Sequence, residues 1–122
     1  NGISRKLKCH FKKFKNGFDL DCDIELFEEP ADSMVIATPF KRKKHFYYNQ
    51  KINCMRAQGS AIIGGKRYAF LPKNSFGVLD WGRGVWTYKN TWYWSSLSSE
   101  FLGKKIGFMS ESLLNDWINE NR

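Results

Sequence analysis

The chain has 122 residues, 42% of them hydrophobic and 26% charged, with a formal net charge of +8 at pH 7. That apolar content excludes a wholly disordered chain, and three prolines and ten glycines exclude a collagen-like or low-complexity one. No apolar run approaches the roughly 18 residues of a membrane-spanning helix, and the length suits a single domain over residues 1–122 or a fragment of a longer protein beginning upstream of Asn1.

The first element is basic. Leu7, Cys9 and Phe11 alternate with polar residues inside a patch that runs from Arg5 to Lys15. Lys15-Asn16-Gly17 then reads as a turn, with Gly able to take positive φ. From Phe18 to Leu26 every even position is apolar, while Asp19, Asp21, Asp23 and Glu25 take the odd ones. A period of two is the mark of a strand with one buried and one wet face. The two segments therefore predict an antiparallel hairpin whose basic and acidic outer faces neutralise each other across the sheet.

Met34 to Thr38 is the next strand, ended by Pro39. Beyond the basic run Lys41–Lys44, strand fragments are predicted at Phe46–Tyr48, Ile52–Met55 and Ala57–Ile63. Gly64-Gly65 makes a two-residue hairpin loop suited to a type I′ turn, leading into Lys66–Phe70. Asn90–Leu97 and Ile106–Met109, joined through Gly103-Lys104, complete a set of roughly eight short strands. Such a set predicts a mainly β protein: an antiparallel sheet, sandwich or partial barrel. The tail differs. Leu113, Leu114, Trp117 and Ile118 fall at helical spacing after Ser110, an N-cap residue, so Met109–Arg122 predicts one short helix.

Three cysteines without a C-x-x-C pair give neither a disulfide framework nor a zinc site. Cys9 and Cys22 occupy apolar positions of the alternation and are expected to be small buried hydrophobes. His10 and His45 share no ligand spacing with them, so no metal and no cofactor is expected. The thiols favour a reducing compartment, the cytoplasm. The basic excess points to lipid or another anionic partner ahead of nucleic acid.

Residues 74–96 hold the most information. Four of the five tryptophans, Trp81, Trp86, Trp92 and Trp94, lie within fourteen positions, around Asp80 and Arg83 and among Gly77, Gly82 and Gly84; Tyr88 adds another ring. Glycine at that density implies a loop with unusual dihedrals or a close backbone approach. Two arrangements follow. In one, the indoles fill a barrel end, with Arg83 stacked on a ring and paired to Asp80. In the other, the rings enclose an apolar ligand cavity with Asp80 at its edge, where burial would favour the protonated carboxyl and proton donation. No Ser-His-Asp elbow or Walker loop is present, and Gly82-Arg83-Gly84 is too short to cradle phosphate.

The run Phe76-Gly-Val-Leu-Asp-Trp-Gly-Arg-Gly-Val-Trp86, followed by Asn90-Thr-Trp-Tyr-Trp94, resembles the hallmark of the uncharacterised DUF2804 family. Upstream, Gln50-Lys-Ile-Asn-Cys54, Gly59-Ser60 and Gly64-Gly65-Lys66 are similar to that family's approach to the motif. The resemblance runs from about Met34 to Phe108, beyond which the sequence departs from the family pattern. It implies a lipocalin-like barrel of the calycin group, distantly similar to carotenoid hydratases, and an apolar ligand or lipid. By position, Trp81, Trp86, Trp92 and Trp94, with Tyr88, would wall the cavity. Arg83 would hold the loop or contact a polar head. Asp80 would be the acid if the chain is a hydratase or isomerase. A third role is an interaction module whose basic patches meet an anionic surface.

Overall fold

The computed structural model describes residues 3–86 and 91–113. They form eight strands: β1 (Arg5–Lys15), β2 (Phe18–Phe27), β3 (Met34–Pro39), β4 (Phe46–Ile63), β5 (Lys66–Phe70), β6 (Phe76–Val85), β7 (Trp92–Phe101) and β8 (Lys104–Leu113). No helix occurs among the described residues. One sheet runs in the order β1-β2-β4-β3, with β5 and β6 also pairing with β4; β7 and β8 pair separately. The chain divides into two compact units, Asn1–Ala31 with Cys54–Gly77, and Asp32–Asn53 with Val78–Arg122. The division ignores sequence order because β4 belongs to both. It falls at Cys54, a non-glycine residue at φ 61, where the strand's regular extension is interrupted.

In the first unit, β1 and β2 pair with Lys8 opposite Asp23, Cys9 opposite Cys22 and His10 opposite Asp21. The predicted neutralisation is present. Lys8 Nζ lies 3.0 Å from Asp23 Oδ2, His10 Nδ1 lies 2.7 Å from Asp21 Oδ1, and Arg5 pairs with Glu29. Asn16 and Gly17 both take positive φ, 52° and 82°, as a type I′ turn requires. The register slips between Phe11 and Lys15, and Lys13, at φ 51, donates its N–H to Asp19 Oδ1 at 2.9 Å. β2 continues onto the second half of β4, from Leu20 opposite Ile63 to Phe27 opposite Arg56. Gly64 and Gly65, at φ 56 and 79, turn β4 into β5. Leu26, Cys54, Met55 and Ala57 are the buried apolar residues here. Cys9, expected inside, is exposed: among the described residues β1 pairs only with β2, and Leu7 and Phe11 on the same alternation are exposed with it.

In the second unit, β3 pairs with the first half of β4, from Met34 opposite Lys51 to Pro39 opposite Phe46. Phe40 and Ile52 are buried here, together with Asn49 and Lys51. β7 and β8 form a hairpin through Leu102-Gly103, at φ 50 and 73. Its turn lies one residue before the predicted one.

Two further expectations need correction. The three fragments Phe46–Tyr48, Ile52–Met55 and Ala57–Ile63 are one 18-residue strand. The start of the predicted C-terminal helix is strand, because Ser110 to Leu113 pair with Ser95 to Trp92; cross-strand hydrogen bonds there outweigh an N-cap signal. Leu114, Trp117 and Ile118 lie outside the described residues.

Candidate functional site

The Trp/Gly segment is a strand rather than a loop: β6 pairs with β4. Its glycines provide close approach. A Cβ on Gly84 would stand 2.1 Å from the Phe46 carbonyl oxygen, and one on Gly82 would stand 2.6 Å from the Tyr47 ring. Only hydrogen at those Cα positions lets β6 lie this close to β4.

Alternation along β4 puts Tyr47, Asn49 and Lys51 on one face. Lys51 Nζ donates to Asp80 Oδ2 at 2.7 Å, and Asn49 Nδ2 donates to Asp80 Oδ1 at 3.0 Å and to Tyr47 Oη at 2.7 Å. The Lys51 side chain is 1% exposed and that of Asp80 is 34% exposed. A buried ammonium this close to a carboxylate is stabilised by it, and removing that partner is costly. Asn49 is fully buried, and among the described residues its Oδ1 finds no hydrogen-bond donor.

Aromatic rings flank this polar group. The Tyr47 ring lies 5.5 Å from that of Trp86 at 46° and 5.1 Å from that of Trp92 at 61°. Both distances fall in the favourable range for edge and tilted ring pairs. His45 Nδ1–H donates to the Trp86 carbonyl oxygen at 3.1 Å. Asn53 Nδ2 donates to the carbonyl oxygens of Leu97, at 3.0 Å, and Phe108, at 2.7 Å, which anchors β7 and β8 to the end of this β4 segment. The other face of β4 gathers a second cluster. Tyr48 meets Trp81 edge-on at 6.2 Å, and the Arg83 guanidinium sits 6.0 Å from the Tyr48 ring centre.

The chain matches, over residues 1–118, the family described as Domain of unknown function (DUF2804). It belongs to the DUF2804 family. No curated protein and no solved structure matches it. The match takes in the β1–β2 hairpin and continues past Phe108, so the departure expected there is corrected.

The DUF2804 segment therefore sorts its signature side chains by strand parity. Asp80, Trp86 and Trp92 gather around Tyr47, Asn49 and Lys51, whereas Trp81 and Arg83 belong with Tyr48. Asp80 is paired with Lys51, not with Arg83, and Arg83 stacks on a tyrosine rather than an indole. Residues 80 and 83 differ by an odd number of positions, so a strand turns them to opposite faces. Trp94 is half-exposed, and Tyr88 lies outside the described residues. Sequence reading missed Tyr47, Asn49 and Lys51. One signal pointed to a lysine partner: Asp80 is the only carboxylate between Asp32 and Glu100, in a stretch rich in bases. Among the described residues no cluster of three His, Cys, Asp or Glu side chains could hold a metal ion, and no helix is long and apolar enough to cross a membrane.

Proposed function

We propose that this DUF2804 protein binds an apolar or amphipathic small molecule, of fatty-acid or isoprenoid character, against the aromatic side chains of its second unit. The observation that supports this most is the Tyr47–Trp86–Trp92 cluster beside a fixed ion pair, with Trp86 still 41% exposed. Indoles held tilted or edge-on to a tyrosine and left partly open offer contact area that a purely structural plug would have closed. Asp80, a third of whose side chain is open and whose carboxylate is held by the buried Lys51, supplies polarity at the margin of that surface, suited to orienting a hydrogen-bond-donating polar head. Trp94, half-exposed, adds to this surface in the same proposal, while Trp81 and Arg83 form a second aromatic patch with Tyr48 on the opposite face, and a lipocalin-like architecture belongs to the proposal too. Three cysteines outside any disulfide favour the cytoplasm as the compartment.

The hydratase reading is not carried forward. Both Asp80 oxygens accept hydrogen bonds, from Asn49 and from Lys51, whereas a general acid must present a proton at that carboxyl. Contact with an anionic surface is a second reading, favoured by the exposed run Lys41–Lys44 on a loop closed between Phe40 and His45. Vesicle binding that falls with salt, and with that run neutralised, would support it.

Tryptophan emission tests the main proposal. Titration with a panel of fatty acids, isoprenoids and carotenoids should shift or quench emission saturably for at least one class. Emission that stays unchanged across the panel would remove the proposal.

A further inference from the structure

We propose that Cys9 and Cys22 are a thiol pair that captures low-molecular-weight disulfides and closes into a reversible cross-strand disulfide between β1 and β2. The two are direct register partners in the β1–β2 ladder. Directly opposed residues of antiparallel strands have Cα atoms about 4.5–5.5 Å apart, within the window of about 4.4–6.8 Å that a disulfide spans. The register is held on both sides, by the Lys8–Asp23 ion pair one rung away and the His10–Asp21 pair on the other. On its far side Cys22 is the register partner of Ala61 in β4.

Exposure assigns the roles. Cys9 lies on an exposed strand with one neighbour and meets solvent, whereas Cys22 is half-buried. Burial pushes the Cys22 thiol above its ordinary range, and contact with Cys9 pushes it further, so Cys22 waits as the protonated partner. The Cys9 thiolate attacks one sulfur of a small disulfide, whose S–S bond breaks and releases one thiolate that takes up a proton. A mixed disulfide on Cys9 results. Cys22 then loses its proton to water and attacks the Cys9 sulfur, forming the Cys9–Cys22 bond and expelling the second small thiolate, which is protonated in turn. The protein gives up two electrons and two protons, and the small disulfide becomes two thiols. Cys54 is buried in β4 and takes no part.

The test is incubation of the reduced full chain with oxidised glutathione, followed by intact-mass measurement and peptide mapping. Wild type should lose two hydrogens and yield one cross-linked peptide joining Cys9 to Cys22, reversed by dithiothreitol. Cys22→Ser should stop at a stable glutathione adduct on Cys9, and Cys9→Ser should react at least tenfold more slowly. A wild type that keeps the glutathione adduct, forms chain dimers, cross-links through Cys54 or does not react would overturn the proposal.

Discussion

Lys51 Nζ lies 2.7 Å from Asp80 Oδ2, joining the first half of β4 to the middle of β6 from a side chain that is almost wholly buried. The two ends of this pair are unequal. The lysine side chain is 1% exposed, while a third of the carboxylate's surface remains open. The stability of the Trp/Gly strand therefore depends more on the lysine's partner than on the aspartate's.

Asp80→Ala should destabilise by about 3–5 kcal/mol, since it leaves a buried ammonium without its carboxylate. Lys51→Met should cost less, because Asp80 keeps the Asn49 bond and part of its hydration. Urea denaturation of both single variants and the double variant measures this as a cycle. A Lys51→Met cost equal to or above that of Asp80→Ala would show that the asymmetry of burial does not govern the pair.

Gly84 lies against backbone rather than against a movable side chain. Gly84→Ala would place a methyl group 2.1 Å from the Phe46 carbonyl oxygen, so β6 must lift away at a cost of at least about 2 kcal/mol. Gly65→Ala meets open space but keeps φ at +79, and should cost about 1 kcal/mol. Thermal melts of the two variants should rank them in that order.

His10 donates to Asp21 on an exposed rung of the β1–β2 ladder, and this hydrogen bond, with the charge of Asp21, holds its pKa above the ordinary 6.5. The resulting stabilisation is complete below pH 6.5 and is lost as pH rises through the higher folded-state value. NMR titration of the imidazole should find that elevation, and Asp21→Asn should lower the pKa. Glu25 runs the other way. The Gln58 amide holds its carboxyl below the ordinary 4.5, so its contribution is present above that pH and fades as acid titrates the folded state.

Oxidation of Cys9 and Cys22 closes a loop of about 14 residues, which stabilises by about 3 kcal/mol in the chain-entropy treatment. The urea midpoint of the oxidised chain should rise accordingly over that of the reduced chain. An unchanged midpoint would mean that the bond strains the hairpin as much as it restrains the unfolded state.

Much of the fold can be read directly from residue types. Asn16-Gly17 and Gly64-Gly65 specify their turns because two successive positive φ values admit few residues, and the Phe18–Leu26 alternation specifies a face. Long-range effects are what local reading loses. β4 is one strand across a stretch with polar Asn49, Gln50 and Lys51 in its first half, since the buried Asn49 and Lys51 bond to Asp80, about thirty residues away in sequence. The glycines of β6 suggested a loop because their tolerance of close approach looks, in sequence alone, like tolerance of unusual dihedrals. Strand parity, once β6 is known, separates Asp80 from Arg83, which proximity in sequence had joined.

The proposed ligand surface is tested most directly by the indole N–H resonances of Trp86 and Trp92, followed by NMR as a long-chain fatty acid or an isoprenoid is added. Binding against the Tyr47 cluster should move both signals saturably, leaving the amides of Leu26 and Ala57 in the first unit unchanged. Indole signals that stay fixed while a ligand binds, or shifts confined to β1 and β2, would contradict the assignment of this aromatic cluster as the binding surface.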